Sequence, residues 1–147
     1  MEDNMIENIV FEIINSYDIN LILSISKDIE LDFMDIFPKS QIERTEIEIE
    51  LRQKAKCIEK EEKGEYYLLN TPINTILGVL RVVKLRIFDN KKNKRGTMDF
   101  KSSYYEQIKK IVKGKKDVYI ISKSKDELIE IPIGDNFIYF SNSPKSL

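Results

Sequence analysis

The chain has 147 residues, with 24 Lys/Arg against 25 Asp/Glu, no histidine and one cysteine, Cys57. These counts exclude histidine-based acid–base or nucleophile pairs, histidine metal ligands and an internal disulfide framework. A hydrophobic content of 41%, with 10% aromatics spread along the whole length, excludes a disordered tail and predicts a single domain over 1–147 with a sizeable core.

The near-neutral total hides a charge split. Residues 1–65 carry 17 acidic and 8 basic side chains, whereas 66–147 carry 16 basic and 8 acidic. Within 81–125 alone there are 15 Lys/Arg and 4 Asp/Glu. One half is thus suited to an anionic partner that the other half repels. The start Met1-Glu2-Asp3-Asn4 is acidic where a signal peptide is basic, and no apolar stretch approaches the roughly 20 residues of a membrane span. A soluble, cytoplasmic protein is expected, with no membrane partner.

Asp3 or Asn4 can cap a first helix over about 3–17, whose stripe is Met5, Ile6, Ile9, Val10, Ile13, Ile14 and Tyr17. Ile19, Leu21, Leu23 and Ile25 alternate with polar residues and read as a strand. Ile29, Leu31 and Phe33 continue the alternation after a Lys27-Asp28 turn. Thr45–Ile58 reads as the clearest strand of the chain. Ile47, Ile49, Leu51, Ala55 and Cys57 would share one face, with Glu46, Glu48, Glu50, Arg52, Lys54 and Lys56 on the other. Cys57 is then expected to be an inert buried thiol.

Tyr66–Leu69 is the expected hairpin return, Pro72–Gly78 an ambiguous apolar piece, and Val79–Phe88 another strand, against which Thr97–Phe100 can pair. Ser103 with Glu106 spells a capping box for a second amphipathic helix, about 103–114, closed by Gly114. Val118–Ser122, Leu128–Ile133 and Phe137–Ser141 are three further strands, and 143–147 reads as a frayed tail. The expected class is α+β, a mainly antiparallel sheet with two amphipathic helices. Ser24–Asp28 and Ser122–Asp126 match at an offset of 98 that also lays the first helix on the second, which suggests a duplicated helix–hairpin unit.

Two sets of side chains could carry chemistry. Glu46, Glu48 and Glu50, spaced along one strand face, could hold a hard cation through oxygen ligands. The run Glu48-x-Glu50-x-Arg52 distantly resembles the Glu-rich strand of triphosphate-tunnel (CYTH-type) enzymes, in which the motif opens the chain; here 47 residues precede it. The other set is basic: Arg81, Lys84, Arg86, Lys91, Lys92, Lys94, Arg95, Lys109, Lys110 and Lys113. Lysines neutralise phosphates without reading bases, and Tyr104, Tyr105 and Tyr119 could add stacking. No catalytic residue and no cofactor is implied. The first expectation is therefore a small non-enzymatic interaction or regulatory protein that docks to another protein or to itself. Nucleic-acid binding through the basic segment is the second, and a carboxylate- and lysine-based enzyme or anionic small-ligand binder the third.

Overall fold

A computed structural model of the chain describes residues 4–25, 28–123 and 126–146. Asp3 as a cap, the turns at Lys27 and at Lys125, and Leu147 lie outside them. The elements in chain order are α1 (Met5–Asn15), α2 (Ile19–Leu23), β1 (Glu30–Ile36), α3 (Gln41–Lys54), β2 (Ala55–Glu61), β3 (Gly64–Thr75), β4 (Gly78–Arg86), β5 (Gly96–Lys101), α4 (Tyr105–Val112), β6 (Tyr119–Lys123), β7 (Asp126–Ile133) and β8 (Asn136–Ser141). The strands form one sheet in the order β2-β3-β4-β1-β5-β8-β7-β6. Its pairs are antiparallel except β1/β4 and β5/β8, so the architecture is mixed α/β with a mostly antiparallel sheet.

Helices number four among the described residues, not two, and two of them replace expected strands. The segment 45–54 lies in α3, and the strand begins only at Ala55. Ser40 caps α3 by accepting from the Glu43 amide at 3.0 Å, while Glu43 accepts from the Lys39 amide at 2.8 Å. The i,i+4 pairs Arg44–Glu48, Glu48–Arg52 and Glu50–Lys54 then stabilise the helix along its length. Ile47 and Leu51, also four apart, bury completely. An alternation of isoleucine and glutamate satisfied both periods, and the cap at Pro38-Lys39-Ser40 decided between them. Ile19–Leu23 is likewise a short helix, opened by Asp18 accepting from the Leu21 amide at 3.2 Å, with Ile22 buried. The ambiguous piece Pro72–Gly78 is the end of a hairpin, because β3 continues to Thr75 and turns directly into β4. Thr97–Phe100 pairs with β1 and β8 rather than with β4.

The main core lies between the helices and one face of the sheet. α1 contributes Ile6, Ile9, Val10, Ile13 and Ile14, α3 Ile47 and Leu51, and α4 Tyr105, Ile108 and Val112, packed on Met34, Val83, Leu85, Met98, Phe100, Ile129, Ile138 and Phe140. Asn4 makes no side-chain cap for α1. Instead the buried Glu50 carboxylate of α3 accepts the Ile6 amide at 2.8 Å, a charge placed where the helix dipole favours it. α4 starts at Tyr105 without the expected Ser103 capping box, and Gly114 ends it at a φ of +83°.

The offset-98 duplication does not correspond to the fold, because α1 stands outside any repeated unit. The sheet is nevertheless symmetrical in order: β1-α3-β2-β3-β4 and β5-α4-β6-β7-β8 each run strand, helix, then three strands, the last parallel to the first. Met34 and Met98 face each other where β1 and β5 meet, so Asp35 and Asp99, one residue beyond each, occupy equivalent positions. Gly96 allows this close approach, since a Cβ there would run into the Asp35 carbonyl and the Ile13 side chain. At the C-terminus, where the sequence predicts fraying, the Lys145 and Ser146 amides donate to buried Asp32 at 2.9 and 2.7 Å.

Candidate functional site

Strand geometry sends alternate side chains to opposite faces. While Met34, Val83, Leu85, Met98, Ile138 and Phe140 point into the helix-covered core, their neighbours Phe33, Asp35, Lys84, Arg86, Thr97, Asp99, Phe137 and Tyr139 line a cavity of about 510 Å3 on the other face. A second small cluster, Phe33, Tyr66 and Val82, forms the apolar part of that face, with the Phe33 and Tyr66 rings edge to face at 5.1 Å.

At the centre sit the two equivalent carboxyls. Asp35 is 6% exposed and Asp99 7%. The Asp35 Oδ2 accepts from the Thr97 hydroxyl at 3.0 Å, and Arg86 approaches Oδ1 only to 3.7 Å. Asp35 Oδ1 and Asp99 Oδ1 are both buried and lack a hydrogen-bond partner. Burial, followed by the charge of Asp35 and a hydrogen bond with it, pushes Asp99 well above the usual carboxylate range. Burial also raises Asp35, against the pull of Lys84 and Arg86. Two buried carboxyls side by side cannot both ionise cheaply, and each raises the cost of ionising the pair.

Cations and aromatic rings surround this floor. The Lys84 ammonium donates to Glu61 at 2.7 Å and lies 4.8 Å from the Tyr66 ring centre, with Lys145 at 5.1 Å from the same ring. Although burial opposes its ionisation, the hydrogen bond from Lys84 holds Glu61 below its ordinary pKa. Arg86 and Lys92 sit over the Phe37 ring at 5.2 and 5.4 Å, and Lys94 over Phe137 at 5.6 Å. Among the described residues Lys91, Lys92 and Lys94 form no ion pair with a carboxylate.

The ten basic residues singled out in the sequence divide accordingly. Lys84, Arg86, Lys91, Lys92 and Lys94 converge on the cavity. Arg95 does not: half-buried, it pairs with Glu43 at 2.8 Å, donates to the Phe37 carbonyl and fastens α3 to the loop after β1. Burial of Glu43 is outweighed by the Lys39 amide and Arg95, so its pKa is lowered. Lys109 pairs with Glu127 at 2.7 Å on the helix-covered side, where Lys110 also belongs to α4 and Lys113 caps its C-terminus. Arg81 is exposed and does not line the cavity.

The glutamate row is corrected more sharply. On a helix, Glu48 falls opposite Glu46 and Glu50. Glu48 pairs with Arg44 and Arg52, and Glu50 serves α1. Among the described residues no group of three His, Cys, Asp or Glu is arranged to hold a metal ion. The likeness to a Glu-rich strand fails for the same reason. Cys57, expected to be buried, is exposed on β2. The residues that sequence reading missed are Asp35 and Asp99. Each stands amid apolar neighbours, in Leu31-Asp32-Phe33-Met34-Asp35-Ile36 and Met98-Asp99-Phe100, and an acid inside a strand-like apolar run was the available signal.

No helix among the described residues is long and apolar enough to cross a membrane. No protein-family model and no curated protein matches the chain. Among solved structures, a structural-genomics protein designated EC4020 is similar, with a TM-score of 0.60, 9% identity, and coverage of 98% of this chain and 82% of that one. At that identity the likeness is one of fold.

Proposed function

We propose that the protein is a small non-enzymatic binding protein whose open sheet face takes a ligand bearing an anionic group. The observation that carries this reading is the convergence of Lys84, Arg86, Lys91, Lys92 and Lys94, from β4 and the loop after it, on one cavity with aromatic walls. Lys91, Lys92 and Lys94 have no carboxylate partner among the described residues, which leaves their charge available to a ligand. A cavity of about 510 Å3 also lies within the usual range for small-molecule sites. The nucleic-acid reading is less favoured, because α4 and its C-cap carry Lys109, Lys110 and Lys113 on the other side of the sheet.

Calorimetric titration with citrate and inorganic pyrophosphate at two salt concentrations tests the proposal. Binding should weaken as salt rises. Reversing Lys91, Lys92 and Lys94 together to glutamate should reduce affinity by at least about tenfold. Absence of binding by both anions at low salt, or a triple variant that binds as the parent does, would overturn it.

A further inference from the structure

We infer that the Asp35–Asp99 pair is the seat of a cationic nitrogen group with at least two N–H donors, an ammonium, amidinium or guanidinium, so that the ligand of the open face is a zwitterion. The anionic end of this ligand rests on the proposed lysine rim; the cationic end rests on geometry that is independent of it.

Asp35 and Asp99 both line the cavity, and Oδ1 of each is buried without a hydrogen bond from another residue's donor. A buried acceptor left unmade is costly, and such groups in folded proteins are nearly always satisfied. The neighbouring cations do not fill the need. Lys84 spends its short contact on Glu61, and Arg86 stays 3.7 Å from Asp35. Asp99 has no cationic partner within salt-bridge distance among the described residues.

The class of ligand group follows by exclusion. An anion at the floor would be repelled, and an apolar group would leave both oxygens orphaned. A metal ion would find only these two carboxyls, since no three-ligand set is present among the described residues. A nitrogen cation with two N–H donors can reach both oxygens, and charge-assisted bonds of this kind are the strong ones. Phe33, Tyr66 and Tyr139 also line the cavity and give it aromatic walls. A cation seated there favours the ionised form of both carboxyls, so binding is linked to proton release wherever the empty pair retains a proton.

The probes are methylguanidine and methylammonium for the floor alone, citrate for the rim alone, and arginine for both, each titrated into the full chain by calorimetry. Titrations in two buffers of different ionisation enthalpy count protons. The expected result is that methylguanidine binds with release of up to one proton, arginine binds more tightly than either single-ended probe, and Asp99→Asn weakens both by at least about tenfold. Asn is nearly isosteric with a protonated Asp99, so this variant should fold; Asp35→Asn gives a second measurement at the equivalent position. Failure of methylguanidine, methylammonium and arginine to bind, or equal binding by Asp99→Asn, overturns the inference. Citrate bound with every cation refused removes the seat and keeps the anionic rim. Methylguanidine bound with citrate refused supports the seat and overturns the rim.

Discussion

The two faces of the sheet are built from the same strands and solve burial in opposite ways. On the helix-covered face the buried side chains are almost wholly apolar, Val10, Ile13, Ile47, Leu51, Phe100 and Phe140 among them. On the open face Asp35, Lys84 and Asp99 are nearly as inaccessible, yet they are charged or titratable. Glu50, at the edge of the covered side, shows what a structural buried carboxylate looks like, with a donated amide and a lysine at 3.7 Å. Asp99 has neither. The contrast separates burial that serves the core from burial that serves a ligand.

The largest test of that separation is in the covered face. Phe100→Ala removes a completely buried ring stacked against Phe140 and should cost about 3–5 kcal/mol in denaturant unfolding, with citrate binding retained in the folded fraction. Next is Glu50→Ala, which orphans the Ile6 amide at the start of α1; a loss of about 1–3 kcal/mol is expected, read by the same unfolding curves.

Asp99→Asn sharpens the comparison from the other side. In the folded protein its pKa is raised above the unfolded value near 3.8, so the native state keeps a proton that the unfolded chain releases. Stability supplied by that proton is present below 3.8 and is lost as pH rises from there through the raised pKa. The slope approaches about 1.4 kcal/mol per pH unit. The Asn variant should lose that slope and gain stability at the upper end of the window, as measured by unfolding at a series of pH values. An Asp99 that supported the core as Glu50 does would give a destabilised variant instead. The smallest effect belongs to Arg81→Glu. This exposed side chain does not line the cavity, and stability should shift by no more than about 0.5 kcal/mol, with citrate affinity unchanged in the same titration.

Much of the strand content was legible residue by residue. Val79–Phe88, Val118–Ser122, Leu128–Ile133 and Phe137–Ser141 lie within a residue or two of β4, β6, β7 and β8, because β-branched residues alternating with polar ones suit a half-buried strand. α3 was misread because Ile47-Glu48-Ile49-Glu50 has period two in its letters and period 3.6 in its packing. Half of the basic set reached the cavity; Arg95 was diverted by Glu43, a partner 52 positions away.

By itself the sequence determined which stretches are apolar and that charge is divided between the two halves, since these are properties of neighbouring residues. Tertiary structure alone decided that β1 and β5 meet at Met34 and Met98, that two aspartates 64 positions apart share a floor, and that Lys84 and Arg86 face it while Lys109 does not. The reason is physical. A local run fixes how side chains alternate between two faces, but which strands lie side by side depends on pairing between segments far apart in the chain.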